Sequence, residues 1–279
     1  MGTLGSLFNK AAGNTTCEFK EEESIISTSS TVPEILDWIM IKLCTELDVR
    51  EMAFKGGYML SKLLPENEVR GTRDIDFSIM TKNYYEDIKR VMAAIGEELF
   101  KLGVVSSYEI KPTVEPTMSG GVNYYMADET KHIGIDVGLH DISYGVHSVT
   151  VTGQAVNAFT PERMLSDKIS AMFTRKRFRR SKDLYDLYVI TNTFDVDLNV
   201  LTELIAKRGE LDYGLSPLRD EIMDGYKHAY DMLDINVNNT DIGNTVRKPS
   251  FEEVIDRARV IINNLNTQYH WNHVKRLVE

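Results

Sequence analysis

Cysteine is scarce in this chain. Cys17 and Cys44 are the only two among 279 residues, and they follow neither a zinc-binding nor a redox-active spacing. A disulfide framework is therefore excluded as a source of stability, and the expected compartment is the reducing cytoplasm. Long apolar runs are missing as well. No stretch approaches the roughly 18–20 consecutive apolar residues that a membrane span requires. The N-terminus lacks the basic region and apolar run of a secretory leader, so no membrane partner is expected. Positive charge is in deficit: 32 Lys and Arg stand against 42 Asp and Glu, a formal net charge of -10. Such a chain repels a phosphate backbone over most of its surface, which excludes indiscriminate nucleic-acid binding but leaves room for a local basic site.

What is present fits a globular protein with a well-buried core, since 42% of residues are hydrophobic and 27% charged. Residues 1–30, rich in Ser, Thr, Gly and Glu, carry no sustained periodicity and are expected to form a loosely ordered arm with a short helix at 4–11. Thr31 and Glu34 then make a capping box, and Ile35, Trp38, Ile39, Leu43 and Leu47 follow at helical spacing. A second helix is expected from Gly56-Gly57 to the stop at Pro65. Asp74 to Ile79 alternates polar and apolar residues, the period of a half-buried strand. A helix over 84–102 and strands over 104–111, 122–126, 132–139 and 148–152 complete an αβ half. From Pro161 the pattern is helical, over 162–174, 181–191, 200–208, 217–233 and 251–264. The expected domains are the arm 1–30, an αβ core 31–157 and a helical domain 158–279.

The sharpest local feature is Lys55-Gly56-Gly57 at a helix start, followed by Asp74-x-Asp76 in a strand. Two glycines there let backbone N–H groups approach a phosphate, with the helix dipole adding a favourable field. Aspartates at i and i+2 of a strand project from one face and can hold Mg²⁺, which bridges substrate phosphates. The plainer alternative is a solvent-facing sheet edge, although two adjacent carboxylates are destabilising there unless a cation relieves them. Asp136, central in the strand 132–139, could join the same metals and help deprotonate an attacking hydroxyl, or could merely cap a turn.

A second constellation lies further on. Met164, Leu165, Ile169 and Met172 form an apolar stripe, with Lys168 beside it where it could offset the charge of a triphosphate. The alternative is a snorkelling surface lysine. Asp183 and Asp186 stand one turn apart on the next helix, Asp183 near enough to its start to cap it or to hold a lysine or arginine. Between the helices, Arg175, Lys176, Arg177, Arg179, Arg180 and Lys182 crowd into eight residues. They are either a solvated loop or the local basic site that an acidic chain would need for RNA.

Taken in order, four blocks resemble the AbiEii/AbiGii family of toxin nucleotidyltransferases, within the polymerase-β-like superfamily. Phe54 to Lys62 resembles the family's Lys-Gly-Gly opening, and Thr72 to Phe77 its Thr-x-Asp-hydrophobic-Asp signature. Glu162 to Met172 resembles its Glu-x-x-x-x-x-Lys-hydrophobic-x-Ala helix, and Arg180 to Leu187 its Arg-x-Lys-Asp-x-x-Asp-Leu block. The resemblance implies an α+β fold, with a mixed sheet flanked by helices and then a C-terminal helical bundle. It implies metal on Asp74 and Asp76, phosphate on Gly56 and Gly57, and Lys168 and Asp183 completing the NTP site. Beside these, Asp136 is the candidate third metal ligand, and Lys55, Tyr58, Ser61 and Arg73 are further candidate nucleotide contacts. The activity implied is Mg²⁺-dependent transfer from an NTP to an acceptor, in some members the acceptor end of tRNA, by a toxin paired with an antitoxin in phage defence. Two features depart from the pattern. Tyr58 stands where a small hydroxyl residue is common, which would shift phosphate contact to Ser61 or Lys55, and the loop 66–71 is long. A protein or small-molecule hydroxyl as acceptor, or a non-catalytic nucleotide- or partner-binding module, remain the alternatives.

Overall fold

The structure is a computed structural model that describes residues 26–80, 84–114, 119–127, 131–172, 181–207, 220–236 and 246–278. Nearly all of the expected arm, including 4–11, lies outside them. Helix α1 (Val32–Glu46) begins as its capping box requires: Thr31 N–H donates to Glu34 Oε2 at 2.7 Å, and Glu34 N–H donates back to Thr31 Oγ1 at 3.5 Å. Its apolar face, including Ile35, Trp38, Ile39 and Leu43, is buried. Strand β1 (Met52–Lys55) runs straight into α2 (Gly56–Leu63), and a long loop leads to β2 (Asp74–Ile79). Then follow α3 (Tyr84–Lys101), β3 (Val105–Val114), β4 (Ser119–Met126), β5 (His132–Leu139), β6 (Val146–Val151) and β7 (Gln154–Phe159).

The seven strands form one mixed sheet in the order β3-β4-β5-β2-β1-β7-β6. At its centre β2 runs parallel to β5 and antiparallel to β1, while β1 runs parallel to β7. Helices α4 (Pro161–Met172), α5 (Ser181–Thr193), α6 (Leu198–Ala206), α7 (Asp220–Asp231) and α8 (Phe251–Val278) follow. Helix α4 packs on α5 and α6, and α8 packs on all three of α5, α6 and α7. This is the α+β arrangement anticipated from the pattern. One continuous cluster of buried side chains spans both halves, joining Phe54, Ile75 and Ile135 of the sheet to Leu165, Leu184 and Val254 of the helices. No described helix is long and apolar enough to cross a membrane.

Two strands escape the sequence pattern. Met52, Ala53 and Phe54 of β1 are all buried, so the strand has no polar–apolar alternation to detect. Strand β7 continues to Phe159, so the expected boundary at 157/158 cuts a strand, and the helices begin at Pro161. Helix α8 continues to Val278, well past the expected end at 264.

Candidate active site

The central strands gather the acidic residues. Asp76 is in register with Asp136 on β5 and with Lys55 on β1, and Asp74 is in register with Gly134. Because in-register neighbours share a face, the parallel pairing of β2 with β5 brings Asp136 beside the Asp74–Asp76 pair. The solvent-facing-edge alternative is thereby removed, since β2 is the fourth of seven strands. Two glycines make room for the carboxylates. A Cβ at Gly134 would lie 2.5 Å from Asp74 Oδ1, so Asp74 leans over β5 where no side chain stands. A Cβ at Gly56 would lie 2.0 Å from Asp76 Oδ2, and Gly56 also adopts a left-handed φ of +72°. Gly56 is thus demanded twice, by its backbone and by the aspartate that packs on it.

Asp76 is half-buried, and its carboxyl is pushed up to about 6. Burial is the main cause, and the charges of Asp136 and Asp74 add to it, against the opposing pull of Lys55 and Lys168. Together with Lys55, Gly56, Lys168 and Asp183, Asp76 lines a cavity of about 230 Å³ between the β1–α2 junction and α4. Lys55 Nζ also stands 5.6 Å from the centre of the Phe159 ring.

Lys168 is not a snorkelling surface lysine, because its side chain is only 13% exposed. Its ammonium donates to Asp183 Oδ1 at 2.9 Å and pairs with Asp186 Oδ2 at 2.7 Å. Asp186 in turn receives a two-pronged contact from Arg70, Nε to Oδ1 at 2.6 Å and Nη2 to Oδ2 at 2.7 Å. Burial works against ionisation of Asp186, yet Arg70 and Lys168 hold its carboxyl well below the usual range. The same carboxylates raise Lys168 although burial opposes its charge. The four residues therefore form a charge-balanced buried network that ties α4, α5 and the loop before β2 together. The sequence pattern assigns no role to Arg70 and places Asp186 only as a neighbour of Asp183. Arg70 is 116 positions from its partner, a separation that leaves no local pattern to find.

Other expected residues are placed differently. Tyr58 is buried and its hydroxyl donates to Asp37 Oδ1 of α1 at 2.7 Å, while Ser61 Oγ donates to the Tyr58 carbonyl. The Tyr58 side chain fixes α2 on α1, and neither Tyr58 nor Ser61 lines the cavity. Gly57 lies beside the Arg70 guanidinium and the Thr72 hydroxyl, at 3.0 and 3.1 Å from a built Cβ. Arg73 and Lys182 line a neighbouring cleft of about 190 Å³ with Arg70, Thr72 and Asp74. Arg175, Lys176, Arg177, Arg179 and Arg180 lie outside the described residues. A larger cleft of about 460 Å³, bordered by Tyr185, Tyr188 and Arg247, contains none of the aspartates. The cavity of Asp76 and Lys168 is the candidate site, because that is where opposed charges and a helix N-terminus meet.

Magnesium fits this donor set. It takes hard oxygen ligands and is commonly held by one or two carboxylates, with substrate phosphates and water filling the rest. Asp74 and Asp76 supply two carboxylates from one face of β2, with Asp136 in register beside Asp76. Among the described residues no three Asp, Glu, His or Cys side chains converge on one point. Asp136, expected as the third ligand, stands in register with Asp76 but is paired with Lys111 at 2.5 Å.

A family profile described as nucleotidyl transferase AbiEii toxin, Type IV TA system, matches residues 39–257. No curated protein sequence matches the chain. Among solved structures, a Helicobacter pylori protein crystallised as a candidate nucleotidyltransferase superposes with a TM-score of 0.51 at 15% identity, over 85% of this chain and 94% of that one. JHP933 from Helicobacter pylori gives a TM-score of 0.46 at 16% identity, over 88% of this chain and 96% of that one. The first of these likenesses concerns the fold: a mixed sheet followed by helices.

Proposed function

Because the chain belongs to the AbiEii nucleotidyltransferase toxin family, we propose that it transfers a nucleoside monophosphate from an NTP to an RNA acceptor such as tRNA. In this reading it is the Mg²⁺-dependent toxin of a two-gene phage-defence system, with a cognate antitoxin as partner. The observation that carries the reading is the meeting of Asp76, Gly56 and Lys168 around one cavity, with Asp74 and Asp136 alongside.

The triphosphate is assigned to the N-terminus of α2, where Gly56 and Gly57 expose backbone N–H groups. Asp183 and Asp186 each take one contact from Lys168, whose remaining N–H is left for a phosphate oxygen. Asp74 and Asp76 would hold Mg²⁺, which supplies charge neutralisation on the triphosphate and alignment of the reacting oxygens. Asp136 takes the proton from the acceptor hydroxyl. The freed oxygen forms its bond to the α-phosphorus as the bond from that phosphorus to the β-phosphate oxygen breaks, and pyrophosphate leaves. The basic residues 175–182 are assigned to the RNA backbone, through forked arginine–phosphate contacts.

The test is incubation with each α-labelled NTP, Mg²⁺ and a bacterial extract of RNA and protein, beside Asp74→Ala and Asp76→Ala. Label in small RNA that falls at least about a hundredfold in both variants is the expected result. Full labelling by either variant overturns the site assignment. Label on protein replaces RNA with a protein hydroxyl as acceptor.

A further inference from the structure

The in-register residues across the centre of the sheet form a row of charges: Lys55 on β1, Asp76 on β2, Asp136 on β5, Gly121 on β4 and Lys111 on β3. Two carboxylates stand side by side with a lysine at each end. Strands are spaced about 4.8 Å apart, so Lys111 starts about 9.6 Å from the strand that carries Asp136. An extended lysine spans most of that distance only if nothing stands between. At Gly121, the residue of β4 paired with both Lys111 and Asp136, there is no side chain to stand between. Lys111 accordingly reaches over β4 and places Nζ 2.5 Å from Asp136 Oδ1. The pair is accessible, with side chains 30% and 49% exposed. An exposed ion pair of this kind is weak and exchangeable.

We infer that Lys111 is a positioning residue that competes with the divalent ion for Asp136, holding the third carboxylate out of the metal site until the ion displaces its ammonium. The inference rests on the proposed metal-dependent reading of Asp74 and Asp76. It accounts for the placement of Asp136, held from the far side by Lys111, while Asp74 leans toward Gly134 and Asp76 toward Gly56. Lys55 sits at the other end of the row but lines the nucleotide cavity, so the two lysines are not equivalent. Lys111 touches neither that cavity nor the cleft of Arg73 and Lys182.

The test is Mn²⁺ binding by the full chain, followed by the loss of the free-ion signal in electron paramagnetic resonance, with no nucleotide present. Lys111→Met is expected to tighten Mn²⁺ binding by about two- to fivefold, and Lys111→Arg, which keeps the cation, to stay near the wild-type affinity. In an Asp136→Asn background the Lys111→Met gain should vanish. An unchanged or weaker affinity in Lys111→Met overturns the inference, as does a gain that persists with Asp136→Asn, which would be a field effect without competition. Asp76→Asn separates this from the underlying reading. If it leaves Mn²⁺ binding intact, or if the wild type binds no Mn²⁺, the metal site itself is wrong and the role of Lys111 falls with it.

Discussion

Burial beside Asp136 and Asp74 pushes the Asp76 carboxyl up to about 6, against an ordinary value of 3.8, and this has consequences for stability as well as chemistry. The folded state holds this proton more tightly than the unfolded chain. Its contribution therefore favours folding at low pH and is lost as pH rises through about 6. A shift of this size corresponds to about 1–3 kcal/mol. Asp76→Asn keeps the shape and removes the charge, so we expect a higher urea midpoint than wild type at pH 8, no gain at pH 4, and no transfer activity. Equal midpoints at pH 8 would mean that Lys55 and Lys168 already neutralise the carboxylate. Gly56 poses a related conflict. Gly56→Ala must hold a left-handed φ and displace the Asp76 carboxylate, so thermal denaturation should register a loss of at least about 1–2 kcal/mol together with lost transfer. A variant of wild-type stability would mean that the α2 start relaxes freely. The Lys-Gly-Gly and Asp-x-Asp patterns were legible because each lies within a few consecutive residues. That Gly56 exists partly to admit Asp76 was not legible, since the two are 20 positions apart.

At the scale of elements, α4 and α5 are fastened to the loop before β2 by the network of Arg70, Lys168, Asp183 and Asp186. Removing one member leaves buried charges without their partner, and a buried pair broken from one side costs about 3–5 kcal/mol. Asp186→Ala is expected to lose stability of that order in urea denaturation and to weaken NTP binding, because Lys168 then loses its fixed position. Retained stability would mean that water enters and solvates Arg70. Helix α1 was readable to its first residue, because a capping box and an apolar stripe are both local signals. Strand β1 was not, since a buried central strand of four residues carries no period. Nor was the role of Tyr58: the sequence marks it only as a departure where a small hydroxyl residue is common, and the packing of α2 against α1 gives its hydroxyl to Asp37.

Over the whole molecule, the net charge of -10 confines attraction for RNA to wherever positive charge is concentrated. Neutralising Arg175, Arg177 and Arg179 to Ala together should therefore lower RNA labelling and flatten its dependence on salt, while a filter assay of NTP binding stays unchanged. Undiminished RNA labelling would make RNA an untenable acceptor, or place its contact elsewhere. The two halves share one buried cluster, so the helices that follow the sheet act as one wall of the cavity through Lys168 and Asp183. The sequence by itself determined the chemistry on offer: paired aspartates, a glycine pair at a helix start, a lysine beside an apolar stripe, and their order along the chain. Those signals are local, written in side-chain type and spacing over a turn or a strand. Only the tertiary structure decided which charges meet. Asp136 joins Asp76 because β5 pairs in parallel with β2, Arg70 joins Asp186 across 116 positions, and Lys111 reaches Asp136 across an intervening strand. Such pairings depend on sheet order and helix packing, which are set by the burial of the whole core and by no single segment.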